Sequence, residues 1–553
     1  MKTESQASPA QPHPLLPAEV QDNFRRQGYW EDITLADIVE ARALRHPDRV
    51  AVTGDTKLTY GELWERARRL AGALRANGLE PGDFLLAVIP SCWQAIVLDV
   101  AASVAGAALV PQSARVSPTV ALNTFEQTNC RGLVLQAALL EKPEWLAMLT
   151  NMRARLQGRP VMLQGEGLSV DGIELQLEEA ASSGPPMSSA RPAPCQPCLV
   201  LSTGGTTGKP KSIVHCAETL IYAARRFGAD IGYVESDVQV AFAPPGHAGG
   251  SVFEKYMPLL YGASILPIGH WRPKPVAEAI ERWGGTTFIT MGTHIFDLLT
   301  LDTEMRSCLR SLRLVTTGAG ADSLFVDGER ELGVPLVRVY GCSECPGHAI
   351  GRLDDPAEVR LYQDGVPFPG LEYRIVDALG APVPDGELGE YQCRGPNLFM
   401  GYAGQPELTR RTVTEDGFYR SGDVMVKSPE GYVNWRGRTR DVIRRGGLQI
   451  DAIEMEGMLG AHPKVSMVVV VGEPHPRLGE RAVIVAVAES ADDPPDLEEL
   501  CDHLIKRGLP KQNLPERLIL TDDLPRTELG KFHRAKIKQW VADDAQRSVK
   551  TVA

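Results

Sequence analysis

The residues best suited to chemistry form one run, Ser202-Thr203-Gly204-Gly205-Thr206-Thr207-Gly208-Lys209-Pro210-Lys211. Its glycines let backbone amides approach an anion with no Cβ in the way. Ser and Thr hydroxyls add donors and the lysines add positive charge, so the run can hold a polyphosphate. It is not a Walker A loop, because Pro210 rather than a hydroxyl residue follows Lys209. A flexible Ser/Gly linker has a similar composition. A Lys-Pro-Lys end and the apolar stretch Cys198 to Leu201 just before the run are not linker features.

Four further clusters follow in order: Tyr340-Gly341-Cys342-Ser343-Glu344, Tyr419-Arg420-Ser421-Gly422-Asp423, Gly437-Arg438-Thr439-Arg440-Asp441 leading to Arg445-Gly446-Gly447, and Pro525-Arg526-Thr527-Glu528-Leu529-Gly530-Lys531. With the phosphate run they resemble the ordered motifs of the adenylate-forming superfamily. That superfamily includes acyl-CoA synthetases, aryl-acid AMP ligases, nonribosomal adenylation domains and luciferases. The resemblance covers about residues 25–540.

The resemblance implies an ATP-dependent reaction in which a carboxylate attacks the α-phosphorus of ATP. Two anions must meet, so charge has to be neutralised and the atoms held in line. It assigns Thr203, Gly204, Gly205, Thr206, Thr207, Gly208 and Lys211 to the phosphates and Glu344 to Mg2+. Tyr340 is to stack on adenine opposite Gly318-Ala319-Gly320, with Gly341 and Ser343 beside it. Asp423 takes the ribose hydroxyls with Arg438 nearby, and Lys531 bridges α-phosphate and carboxylate. Asp441 is to be the hinge of a rotating small domain. Gly446 and Gly447 line a path for a pantetheine arm, of either coenzyme A or a carrier protein; both fit the motifs. A non-catalytic nucleotide-binding relative is the alternative of another class, against which Lys531, Asp423 and Glu344 stand.

The acid is expected beside His247, Ala248, Gly249, Ser251, Thr293, Gly318 and Cys345. Pro244 to Gly250 resembles the segment of aryl-acid AMP ligases that carries a His-Asn pair, and Phe24 to Asp55 resembles the start of 2,3-dihydroxybenzoate-type ligases. Here His247 is kept, but Ala248 stands in the Asn position. The expected substrate is therefore an unhydroxylated aryl, alicyclic or medium-length acid.

These residues need a scaffold. Tyr60 to Asn77 has Leu63, Ala67, Leu70 and Leu74 at helical spacing with Gly78 as a stop, and Phe84 to Ile89 reads as a strand. Ala95 to Val110 reads as a buried helix, too short and too interrupted by Asp99 to span a bilayer. Such alternation predicts an α/β fold: a large N-terminal multi-subdomain α/β domain on a mainly parallel sheet. Residues 180–198 have linker composition. After residue 438 the texture changes to two β-rich runs, Val465 to Val471 and Ala482 to Ala488, and one helix from Leu497, predicting a small mobile α+β C-terminal domain. The expected division is 1–20 flexible tail, 21–438 AMP-binding domain, 439–545 lid carrying Lys531, and 546–553 tail.

At 553 residues the chain has room for more than one domain. A formal charge of −12 argues against non-specific wrapping of nucleic acid. The N-terminus lacks a signal-peptide pattern, so a cytoplasmic protein with ten reduced cysteines is expected. The oligomeric state is left open.

Overall fold

The computed structural model describes residues 13–156, 160–165, 175–190, 192–203, 211–318, 320, 322–439, 441–445, 448–526 and 532–550. Two largely parallel sheets build the large domain. In one, Val238–Ala241, Thr287–Met291, Leu314–Gly318 and Leu336–Cys342 lie side by side in parallel, and Cys345–Ile350 folds back antiparallel on the last. In the other, Phe84–Val88, Ala108–Gln112, Gly132–Gln136 and Pro197–Thr203 are parallel, and Lys211–Cys216 returns antiparallel along Pro197–Thr203. The phosphate run thus begins at the end of one of these two antiparallel strands, at Thr203, and finishes at the start of the other, at Lys211. One apolar cluster joins both sheets to the helices Tyr60–Ala76, Trp93–Ala105 and Ala217–Asp230.

The helix Tyr60–Ala76 begins with a Thr59/Glu62 capping box and buries Leu63, Ala67, Leu70 and Leu74, as their spacing predicts. The expected helix Ala95 to Val110 is instead Trp93–Ala105. It stops at Gly106, whose φ of 75° makes a left-handed cap, and Ala108 to Val110 join the next strand. A stretch this rich in Ala and Val carries no clear period that separates helix from strand. Asp99 is buried on this helix, 2.5 Å from Lys255 Nζ. Among the described residues no helix is long and apolar enough to cross a membrane.

Two more expectations change. Residues 13–20 are not loose: the Gln21 side chain accepts from His13 N and donates to the carbonyls of His13 and Leu16, and His13 Nε2 meets Leu398 O at 3.0 Å. Polar composition hid this local network. At the other end the helix Arg534–Lys550 continues past residue 546.

A four-stranded antiparallel sheet, Glu372–Val376, Gly389–Arg394, Tyr419–Lys427 and Val433–Arg438, flanks the large domain. The next strand, Ile443–Arg445, already belongs to a separate sheet with Leu448–Ile450, Val465–His475, Gly479–Ala488 and Arg517–Leu520. That sheet and the helices Ala452–Leu459 and Leu497–Lys506 share their own core, so the smaller C-terminal domain is α+β.

Candidate active site

One hairpin, Leu336–Cys342 and Cys345–Ile350, places three of the expected side chains. Tyr340 stands on its first strand, and Ser343 and Glu344 form its turn. Gly341 is needed there, because a Cβ would sit 2.9 Å from Gly347 N across the hairpin. His215 fixes the turn from the neighbouring sheet, its Nε2 lying 2.8 Å from Ser343 O. Burial holds that imidazole near a pKa of about 4, hence neutral, so one ring nitrogen can donate to the carbonyl.

Asp423 is only 1% exposed and is gripped by three donors. Tyr340 Oη donates to Oδ2 at 2.7 Å, Trp435 Nε1 donates to Oδ1 at 2.8 Å, and Arg438 Nε lies 2.9 Å from Oδ1. Burial works against the Arg438 charge, but Asp423 together with the Tyr340, Cys342 and Tyr419 side chains outweighs it and the guanidinium is held protonated. Burial, with the Asp423 charge next, pushes the Tyr340 phenol well up, so it stays a donor. A carboxylate offers about four acceptor sites. Three are engaged here, so two ribose hydroxyls can both bind only if Tyr340 releases Oδ2.

At the phosphate end, Lys211 Nζ lies over the Tyr402 ring, 5.1 Å from its centroid, and Tyr402 Oη donates to Glu344 Oε1 at 2.7 Å. Tyr402 pairs with Ile213 beside Lys211 in the sheet. Sequence reading passed over Tyr402, as it did Trp435 and His215. Only Tyr402 had an available signal, the Gly401-Tyr402 pair ahead of a Pro-Glu-Leu-Thr stretch. Thr203 closes the strand Pro197–Thr203, and Ser202 Oγ is buried with no hydrogen-bond partner among the described residues. Gly204 to Gly208, Ala319, Gly446, Gly447 and Lys531 lie outside the described residues.

The acid loop is held from below. Gly246 has φ +89°, and a Cβ there would meet Pro111 O at 2.3 Å, so only glycine fits. Ser202 N donates to Gly246 O at 2.7 Å, tying the loop to the start of the phosphate run. Gly249–Tyr256 is a π-helical stretch, a form common at functional sites. His247 is half-buried, and its Nδ1 accepts from Gly249 N at 3.3 Å. Ala248 is buried in the main core. Thr293 Oγ1 is buried without a partner, and Gly318 ends its strand.

Two expected acid contacts are corrected. Ser251 is fully buried, and its Oγ accepts from Gly246 N at 3.4 Å, bracing the loop from behind. Cys345 is also fully buried and turns its Sγ to Asn397 Oδ1 at 3.2 Å. Neither presents surface to an acid.

The small domain reaches this site. Arg436 Nε lies 3.9 Å from Asp451, which caps the first helix of the small domain. Arg526, five residues before Lys531, adds to burial in holding His294 near a pKa of about 4. Asp441 lies in the turn after Arg438, its N donating to Arg438 O at 2.8 Å.

A large α/β domain with a phosphate run between antiparallel strands, a buried Asp–Tyr–Arg cluster and a small α+β domain over its edge defines a nucleotide-using α/β enzyme. Residues 39–403 match the family described as AMP-binding enzyme, and residues 454–531 match the AMP-binding enzyme C-terminal domain. The chain belongs to this family. It is 30% identical over 526 residues to a medium-chain fatty-acid–CoA ligase of Escherichia coli, covering 93% of this chain and 92% of that protein. It is 32% identical to a salicyl-AMP ligase / salicyl-S-ArCP synthetase of Mycobacterium tuberculosis, covering 94% and 93%. The ATP-bound MatB of Rhodopseudomonas palustris superposes with a TM-score of 0.82 at 25% identity, covering 93% of this chain and 99% of that one.

Proposed function

We propose that this chain activates a carboxylic acid with ATP as its acyl-adenylate, releasing pyrophosphate, and passes the acyl group to a thiol. It is an AMP-forming acid–thiol ligase. The observation that carries the reading is the hairpin: Tyr340 reaches Asp423, which pairs with Arg438, while Glu344, four residues on from Tyr340, reaches Tyr402 below Lys211. In this reading one hairpin links the ribose end of the site to its phosphate end.

Each residue has a distinct task in this reading. Asp423 accepts from the ribose, with Trp435 and Arg438 fixing its orientation. Lys211 and the run 203–208 face the phosphates. Glu344 suits Mg2+, because a carboxylate oriented by a phenol hydroxyl is a hard oxygen ligand. Mg2+ would supply charge neutralisation on the phosphates. His247 and Thr293 stand by the acid, and Lys531 stabilises charge between carboxylate and α-phosphate. The domain boundary falls at 438–441, with Asp441 as hinge, and Gly446 and Gly447 leave room for the pantetheine arm.

The acceptor in this reading is coenzyme A, and the acid is an unhydroxylated aryl, alicyclic or medium-length one. Loading a carrier-protein phosphopantetheine is the second reading, favoured by the likeness to the salicyl-S-ArCP synthetase. The test is ATP–pyrophosphate exchange across an acid panel, followed by thioester formation with coenzyme A or a phosphopantetheinylated carrier. Acid-dependent exchange is expected. No exchange with any acid would leave a nucleotide-binding relative without this chemistry.

A further inference from the structure

Behind the Tyr340 ring lies a group of side chains that the reaction does not use. Cys345, His348 and Cys393 each offer a ligand atom, and these atoms lie within 4.8 Å of one another. None of the three residues is more than 1% exposed. They come from two sheets: Cys345 and His348 from the strand Cys345–Ile350, and Cys393 from Gly389–Arg394 of the flanking sheet. The sequence also carries a spacing that a reading of plain thiols passes over, Cys342-x2-Cys345-x2-His348. Cys342 is the residue directly opposite Cys345 across the hairpin.

We propose that Cys345, His348 and Cys393 form a structural site for a thiophilic divalent cation of the Zn2+ class. Thiolate sulfur and imidazole nitrogen select such a cation over Mg2+ or Ca2+, which take oxygen. Two thiolates and one Zn2+ sum to zero charge, which suits a site closed to water. The surroundings resemble the support a ligating imidazole needs: Tyr391 Oη bonds His348 Nε2, fixing the ring. The Asn397 amide donates to Pro346 O at 2.8 Å and to Gly347 O at 3.3 Å, holding the loop between the two ligands. Binding releases the thiol protons to solvent and changes no oxidation state.

The site's purpose would be mechanical. The His348 and Tyr340 rings meet edge-on at 5.7 Å, and Tyr391 meets Tyr340 at 5.8 Å. A cation here ties the hairpin to the flanking sheet directly behind the wall of the nucleotide site.

The test uses the full chain, reduced, incubated with Zn2+ and freed of loose metal by gel filtration. Elemental analysis is expected to find about one Zn2+ per chain, as a closed structural site holds one ion. Replacing Zn2+ by Co2+ is expected to give the visible bands of tetrahedral cobalt with a thiolate charge-transfer band. Cys393→Ser and His348→Gln should each weaken retention by at least about tenfold, while Cys501→Ser, in the small domain, should not. The cobalt spectrum of the unmodified chain needs no variant to fold. Folded protein with no retained metal and an octahedral cobalt spectrum would overturn the proposal. So would metal retention indifferent to both variants, or a Cys345–Cys393 disulfide as the resting form.

Discussion

Asp423 is where the residue-level chemistry can be tested most sharply. Trp435 Nε1 and Arg438 hold Oδ1, whereas Tyr340 Oη holds Oδ2; in the proposed function it competes there with an incoming ribose hydroxyl. Trp435→Phe removes a donor to a charged acceptor, worth about 1.5–3 kcal/mol, and should raise KM for ATP roughly tenfold or more with kcat little changed. Tyr340→Phe should leave KM for ATP level or lower, because it frees Oδ2. If both variants raise it alike, Tyr340 does not compete. A second residue, Ala248, bears on the acid. An unpaired buried hydroxyl costs about 1–3 kcal/mol, and a methyl cannot partner it, so salicylate and 2,3-dihydroxybenzoate should trail benzoate or hexanoate in kcat/KM by about tenfold to a hundredfold. A win for either hydroxylated acid would remove Ala248 from the argument. Motif composition and order singled out Glu344, Asp423 and Arg438 in the sequence, and the structure brings Asp423 and Arg438 into contact. Trp435 and His215 were not legible, since a lone Trp or His in a strand reads as core until its partner is seen. Ser251 and Cys345 were misread for the converse reason: nearness in sequence to the acid loop does not say which way a side chain turns.

Among the elements, the π-helical stretch Gly249–Tyr256 carries the largest unresolved charge. Glu254 is fully buried; its Oε2 accepts from Ala243 N at 2.9 Å and its Oε1 has no partner. Lys255, the adjacent cation, is already paired with Asp99. Burial therefore pushes the Glu254 carboxyl up from 4.5 to about 8. The folded chain holds this proton more tightly than the unfolded chain does. Its contribution to stability is complete below about 4.5, declines as pH rises, and is gone above about 8. Glu254→Gln mimics the protonated state. Its Tm should match the parent's at pH 5 and exceed it increasingly toward pH 9. Parallel Tm–pH curves would mean that the carboxyl stays ionised. The periodic elements were legible, as the helix Tyr60–Ala76 and the strand Phe84–Val88 show. What failed was punctuation: the helix after Trp93 ends at Gly106 because glycine takes a left-handed cap, which an apolar run conceals. The π-helical register of Gly249–Tyr256 leaves no trace in a two-glycine start.

At the scale of the whole molecule, two domains share two half-reactions in the proposed function. The sheet containing Val433–Arg438 ends and the small domain's sheet begins at Ile443, so the chain between them is a short connection. Arg526, from the small domain, stands close enough to His294 of the large domain for its charge to act there. This arrangement suits adenylation, when a lysine between carboxylate and α-phosphate stabilises developing charge. Lys531→Ala should cut acid-dependent pyrophosphate exchange by about a hundredfold to a thousandfold, the usual loss for one positioned stabiliser. It should leave thioester formation from supplied acyl-adenylate largely intact, because that step no longer needs the contact. Gly447 predicts the opposite pattern. If Gly447 lines the thiol path, as the proposed function has it, Gly447→Leu should spare exchange and depress acyl transfer. Measuring both half-reactions on both variants separates a rotating small domain from a fixed one. Equal losses in the two half-reactions for Lys531→Ala would make the lysine structural. Collapse of exchange in Gly447→Leu, with transfer from supplied adenylate surviving, would rule out two orientations for this chain.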